Sequence, residues 1–194
     1  TGVQTCALPI CSGGSSFPKD QILLEVGADG RVTLFSASHS QGQSHATTFA
    51  MIVGKALGID AERVEVRQCV WEKNLIGNHS GGSRTMVGAG TVSHMAAGKL
   101  VERGKALAAE EFGIEPSQVS YEAGVFSGVD GGQRLSFGEL AKRKEFSAMA
   151  EAYFGSTWPN GCHIAEVEID PATGVTEIVR YTGVDDCGVA INHT

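Results

Sequence analysis

The sequence predicts an α+β fold in which mixed and antiparallel sheets pack with one long helix. Three observations carry that expectation. Two alternating runs, residues 21–26 and 31–36, flank Gly27-Ala28-Asp29-Gly30, whose Asp-Gly pair is a strong hairpin signal. Apolar residues recur at near-helical spacing across 86–112, the longest such span in the chain. A second turn, Pro171-Ala172-Thr173-Gly174, folds the alternating run 162–170 back onto 175–184 as a hairpin.

The elements follow in order. Residues 1–10 have no basic head, no continuous apolar stretch and no strand or helix period, and the string resembles translated sequencing-adapter read-through. With the linker Cys11-Ser12-Gly13-Gly14-Ser15-Ser16, they are set apart as a non-native or linker segment, 1–16. Residues 17–194 are expected to be one partial domain, truncated at its C-terminus. After the first hairpin, residues 48–57 carry apolar side chains three and four apart, as an amphipathic helix does, and Gly58 offers its stop. Residues 63–67 alternate as a strand. The long helix opens on Gly88, Ala89, Gly90, Ala96, Ala97 and Gly98, which cost helix propensity but permit close packing on a neighbouring backbone. Short strands are expected at 117–122, 125–126 and 133–135, then a short helix at 137–144. Trp158-Pro159-Asn160-Gly161 forms a rigid turn into the last hairpin.

Composition narrows the function. A formal charge of −7 without a Lys/Arg cluster argues against nucleic acid or an anionic membrane as partner. No apolar run approaches the ~20 residues that span a bilayer. The 5 cysteines are odd in number and lack CxxC spacing, which favours a reducing, cytoplasmic setting over a disulfide framework or zinc knuckle.

Chemistry concentrates in two loops. Ser38-His39-Ser40-Gln41-Gly42-Gln43-Ser44-His45-Ala46-Thr47-Thr48 lies between a strand and a helix. There, backbone N–H groups and the positive helix end favour an anion, Gly42 permits close approach, and the Gln41 and Gln43 amides can read a heterocycle edge. An ordinary polar turn capped by Ser44 explains the same residues. A second loop, Gly77-Asn78-His79-Ser80-Gly81-Gly82-Ser83-Arg84-Thr85, also runs into a helix, so the two could converge on one extended polyanionic ligand. Arg84 either meets a phosphate or pairs with a neighbouring carboxylate. His39, His45 and His79 show no ligand spacing that marks a metal site. Cys162 and His163, adjacent on a strand, point to opposite faces and cannot act together, so Cys162 is expected in the core. Asp185 and Asp186 diverge likewise and suit a hairpin-end structural role.

Together, Gln41-Gly42-Gln43 with Thr47, Gly81-Gly82-Ser83-Arg84-Thr85, the run 159–170, and Val184-Asp185-Asp186-Cys187-Gly188 with Ile191-Asn192 carry a family resemblance. In order and spacing they resemble the molybdenum-binding large subunit of the xanthine dehydrogenase and aldehyde oxidase family, nearest its carbon monoxide dehydrogenase-like branch. The resemblance implies an internal fragment of a molybdenum hydroxylase, which oxidises aldehydes, N-heterocycles or related small molecules with oxygen from water. It implies molybdopterin, in the cytosine dinucleotide form, with FAD and 2Fe-2S clusters on partner subunits. Carried over residue by residue, Gln41, Gly42 and Gln43 would lie against the molybdenum centre and pterin. Gly82, Ser83, Arg84 and Thr85 would wrap the pterin and phosphate. The metal would be held by the pterin dithiolene, with no protein ligand. The family's catalytic glutamate lies beyond Asn192, so no catalytic residue is assigned and the chain alone is expected to be inactive. Three positions depart from the pattern: Ser44 stands for the usual glycine, Ala46 for glutamate and Thr85 for serine. The competing expectation is a noncatalytic nucleotide- or phosphate-binding α+β module.

Overall fold

The computed structural model describes residues 2–6, 19–129, 131–155 and 158–192; the linker 11–16 and the ending His193-Thr194 lie outside the described residues. A four-stranded sheet forms the centre, in the order β4-β3-β2-β8. Its strands are β2 (Asp20–Val26), β3 (Val32–Ser36), β4 (Val64–Gln68) and β8 (Ser147–Ala152). The expected hairpin joins β2 to β3, with Leu24 opposite Leu34, and Gly30 turns at φ 80 with its N–H on the Gly27 carbonyl at 2.8 Å. β4 runs parallel to β3 after a helical crossover, and β8 runs antiparallel to β2.

One face of this sheet is apolar because alternate residues point the same way. Ile22, Leu24, Val32, Leu34, Val64 and Ala150 form that face. Two helices cover it, α1 (His45–Leu57) over β4 and α2 (Thr91–Phe112) over β2 and β8, and they touch each other. α1 buries Phe49, Val53 and Leu57, one every fourth residue, and stops at Gly58, whose left-handed backbone returns its N–H to the carbonyls of Gly54 and Lys55. α2 buries Val92, Ala96, Ala97 and Leu100 in its first half and Leu107, Ala108 and Ala109 in its second. A Cβ on Gly104 would sit 2.1 Å from the Phe126 ring, so that helical glycine admits an aromatic side chain into the α2 surface.

Beyond α2, β5 (Ser120–Glu122), β6 (Val125–Ser127) and β7 (Arg134–Ser136) form a small antiparallel sheet. It packs Phe126 among Tyr121, Phe137 and Phe146 at ring distances of 5.0–6.1 Å. The helix α3 (Phe137–Arg143) starts on a reciprocal cap between Ser136 and Glu139.

The third sheet, β1-β9-β10, holds the long hairpin of β9 (Asn160–Ile169) and β10 (Thr176–Asp186). It corrects two expectations. Residues 1–10 show no strand period, yet β1 (Gly2–Cys6) pairs antiparallel with β9, from Gly2 opposite Val167 to Cys6 opposite His163. An edge strand is held by backbone hydrogen bonds, which need no side-chain alternation. Cys162, expected in the core, is exposed, because the described residues lay no layer over its face of the hairpin. Asp185 and Asp186 do serve the hairpin end: Asp185 Oδ1 lies 3.0 Å from His163 Nε2, and Asp186 Oδ1 accepts the Gly188 N–H at 3.0 Å.

Candidate functional site

The first loop leaves the end of β3 and enters α1 with its backbone bent twice into left-handed conformations, at Gly42 (φ 105) and Ser44 (φ 59). Gly42 needs the freedom of glycine for that angle; a Cβ there would touch no protein atom. Ser44 occupies the N-cap position but its hydroxyl caps nothing, a correction to the expected side-chain cap. Its left-handed backbone departs from the extended conformation a capping residue normally adopts; its carbonyl accepts the Thr47 and Thr48 N–H groups, each at 3.1 Å.

Both glutamine amides are half used inside this loop. Gln43 Oε1 accepts the Gln41 N–H and the Ser40 hydroxyl, and Gln41 Nε2 meets His39 Nε2 at 3.1 Å. The opposite ends, the Gln43 amide nitrogen and the Gln41 amide oxygen, are the ones left to read a ligand.

The second loop is tied to the first and to the sheet. Ser38 Oγ donates to the Asn78 carbonyl at 2.9 Å, Ser80 Oγ donates to the His39 carbonyl, and the Asn78 N–H donates to Asp20 Oδ1 at 2.9 Å. Asp20, Ser38 and Asn78 are all buried, so these bonds are shielded from water. Gly82 and Ser83 are both left-handed (φ 63 and 54), after which Thr85 is already helical. The chain then makes one π-helical turn, Met86–Gly90, before α2 proper. A Cβ on Gly88 would fall 2.2 Å from Asp20 Oδ2, so the small residues at the helix start permit contact with a carboxylate.

The loops share a cleft of about 360 Å³. Of the residues expected at the site, Gln41, Gln43, Ser83, Arg84 and Thr85 line it; Gly42 and Gly82 shape the backbone without lining it. Arg84 is buried in the wall. Thr48, Ser80, Met86 and His45 also line the cleft and were not read as binding residues in the sequence. Thr48 and Met86 carry ordinary helical signals there, and Ser80 is one serine in a polar loop.

His45, the first residue of α1, is 3% exposed and stacks on Phe49 at 5.1 Å. Its Nδ1 has no hydrogen-bond partner. Burial, and secondarily the nearby His39, lower its pKa below the ordinary 6.5, which keeps it neutral at neutral pH. Among the described residues no three His, Cys, Asp or Glu side chains converge to hold a metal ion. The donor set is therefore amides, hydroxyls, one imidazole and one guanidinium. It suits a ligand with a polar heterocycle edge and an anionic group.

Comparison with known proteins agrees with this chemistry. The family model described as "Molybdopterin cofactor-binding domain" matches residues 1–194. The chain is similar to the nicotine 6-hydroxylase large subunit of Paenarthrobacter nicotinovorans, 29% identical over 204 residues, covering 94% of this chain and 24% of that protein. It is also similar to the carbon monoxide dehydrogenase large chain of Hydrogenophaga pseudoflava, 29% identical over 165 residues, covering 79% of this chain and 20% of that protein. In fold it matches quinoline 2-oxidoreductase from Pseudomonas putida 86 with a TM-score of 0.74 and 26% identity, covering 98% of this chain and 27% of the other. The chain thus spans about a quarter of the length of these relatives or less. With its whole length matched by that model, the chain belongs to the molybdopterin cofactor-binding domain family.

Proposed function

We propose that the cleft between the two loops holds molybdopterin in its cytosine dinucleotide form, and that the chain is a partial molybdopterin-binding domain of a molybdenum hydroxylase large subunit. The observation that carries this reading is the convergence of Gln41, Gln43, Ser83, Arg84 and Thr85 on one cleft. Two facts of the chain fit the group. His45 Nδ1 is a buried polar atom without a protein partner, and Arg84 places a buried guanidinium in the cleft wall.

When bound, the cofactor would supply a molybdenum centre that accepts two electrons from the substrate as oxygen from water is incorporated. The chain's own residues bind and orient. The Gln41 amide oxygen and the Gln43 amide nitrogen meet the pterin edge, and the left-handed turns at Gly42, Gly82 and Ser83 bring both loops to the cleft. Arg84 and Thr85 hold the phosphate end. The buried clamp from Asp20 through Asn78 to Ser38 keeps the loops in register. No residue of the chain is assigned as a catalytic base, and the chain by itself is proposed to turn nothing over.

For the complete subunit we propose hydroxylation of an aldehyde or N-heterocycle in the cytoplasm, with electrons leaving through 2Fe-2S clusters to FAD on partner subunits. The relatives' designations as a large subunit and a large chain support such an assembly. Production in a host that makes molybdopterin tests the reading: oxidised pterin fluorescence and released CMP should co-purify with the chain. Binding of CMP without any pterin would favour a nucleotide-binding module instead.

A further inference from the structure

We propose that His45 donates a hydrogen bond from Nδ1 to an anionic oxygen ligand, a phosphate ester or pyrophosphate, bound in the cleft between the two loops. The inference rests on the cofactor-site reading only in taking the anion to be the cofactor's phosphate; the anion site itself stands on separate observations.

The first is the orphaned atom. His45 is 97% buried within the cleft wall, and Nδ1 has no partner there. A buried polar atom of this kind is ordinarily paired. The ring is stacked on Phe49 at 15° between planes, and His45 is one of the residues that line the cleft.

The second is the sign of the surroundings. His45 opens a 13-residue helix whose first turn carries no acidic residue, so the positive end of the helix is left uncompensated. Arg84 lines the same cleft from the second loop, and His39 lies close enough on the first loop to act on His45 electrostatically. Among the described residues no carboxylate lines the cleft. The charged and titratable groups named here, Arg84 and His39, carry no negative charge, and the complementary ligand is an anion.

The tautomer follows. A deprotonated phosphate oxygen only accepts, so Nδ1 must carry a proton, and in the neutral ring Nε2 then keeps the lone pair. Burial and His39 favour the neutral ring; an anion beside it opposes them and favours the imidazolium.

The test needs no variant at first. With ¹⁵N-histidine in the 194-residue chain, long-range proton–nitrogen spectra should show His45 as the Nδ1–H form once pyrophosphate is added. Its titration midpoint should rise by about one unit or more. His45→Asn, which keeps an N–H donor, should bind pyrophosphate within about threefold of the native chain, while His45→Phe, which keeps the stack alone, should lose about tenfold. A His45 midpoint and tautomer unmoved by pyrophosphate, or a His45→Phe variant that binds it equally, overturns the proposal. If pterin still co-purifies with the chain in that case, the cofactor reading survives alone. If pyrophosphate moves His45 as described but no pterin co-purifies, the anion site stands and the cofactor reading fails.

Discussion

The backbone N–H of Asn78 donates to Oδ1 of Asp20 at 2.9 Å, joining the second loop of the site to the first residue of β2. The same carboxylate lies against Gly88 in the π-helical turn, and the Asn78 carbonyl accepts from Ser38 in the first loop. One buried side chain therefore sets the spacing of three segments around the cleft.

Removing that carboxylate should loosen the site from behind. Asp20→Ala leaves the Asn78 N–H buried without its acceptor, a loss of about 1–3 kcal/mol in urea unfolding. Pterin retention should fall as well, although Asp20 is not among the lining residues. Asp20→Asn keeps an oxygen for Asn78 and should restore part of both. Unchanged stability in the alanine variant would remove the clamp.

Ser44 pays for a conformation that glycine adopts freely. At φ 59 and with no cap bond from its hydroxyl, it gains nothing from its side chain at the helix entry. Ser44→Gly should raise stability by about 0.5–1 kcal/mol, read as a higher urea midpoint at constant slope.

Two glycines of the long helical segment should respond oppositely to alanine. Gly88→Ala forces a methyl group to within 2.2 Å of Asp20 Oδ2 and should cost about 1–3 kcal/mol. Gly98→Ala meets nothing within 4 Å and should stabilise α2 by about 0.5–1 kcal/mol. Thermal melts of the two variants side by side decide the point.

His45 makes the chain's stability sensitive to acid. Its pKa is lowered in the folded state from the ordinary 6.5, so the unfolded chain binds more protons as the pH falls below that value. Its contribution to stability is therefore full above about pH 6.5 and is lost progressively towards its lower folded pKa. The stability difference between the native chain and His45→Phe, followed from about pH 7.5 down to 5.5, should shift in favour of the variant. A difference that stays level across that range would contradict the assignment.

Much of this was legible in the chain. The Asp29-Gly30 turn, the helix ending at Gly58 and the final hairpin were written in turn chemistry and periodicity, which act locally. The two site loops were legible because glycine, amide and hydroxyl residues crowd before two helices, and both do line one cleft. β8 had no such signal. Ser147-Ala148-Met149-Ala150-Glu151-Ala152 is rich in helix formers, and only pairing with β2 makes it a strand. Asp20 was equally silent, since a carboxylate beside a strand reads as a surface residue until Gly88 and Asn78 close over it. His45 stood out only as one of several histidines; its burial against Phe49 is a tertiary fact.

The most direct measurement is pterin retention by the chain and two variants produced in a molybdopterin-making host. The native chain should carry fluorescent oxidised pterin in near-equimolar amount, and Arg84→Ala should lose about tenfold or more of it. Gln43→Ala should lose less, because only one end of its amide is left for the ligand. Equal pterin in all three, or none in the native chain, would contradict the cofactor site.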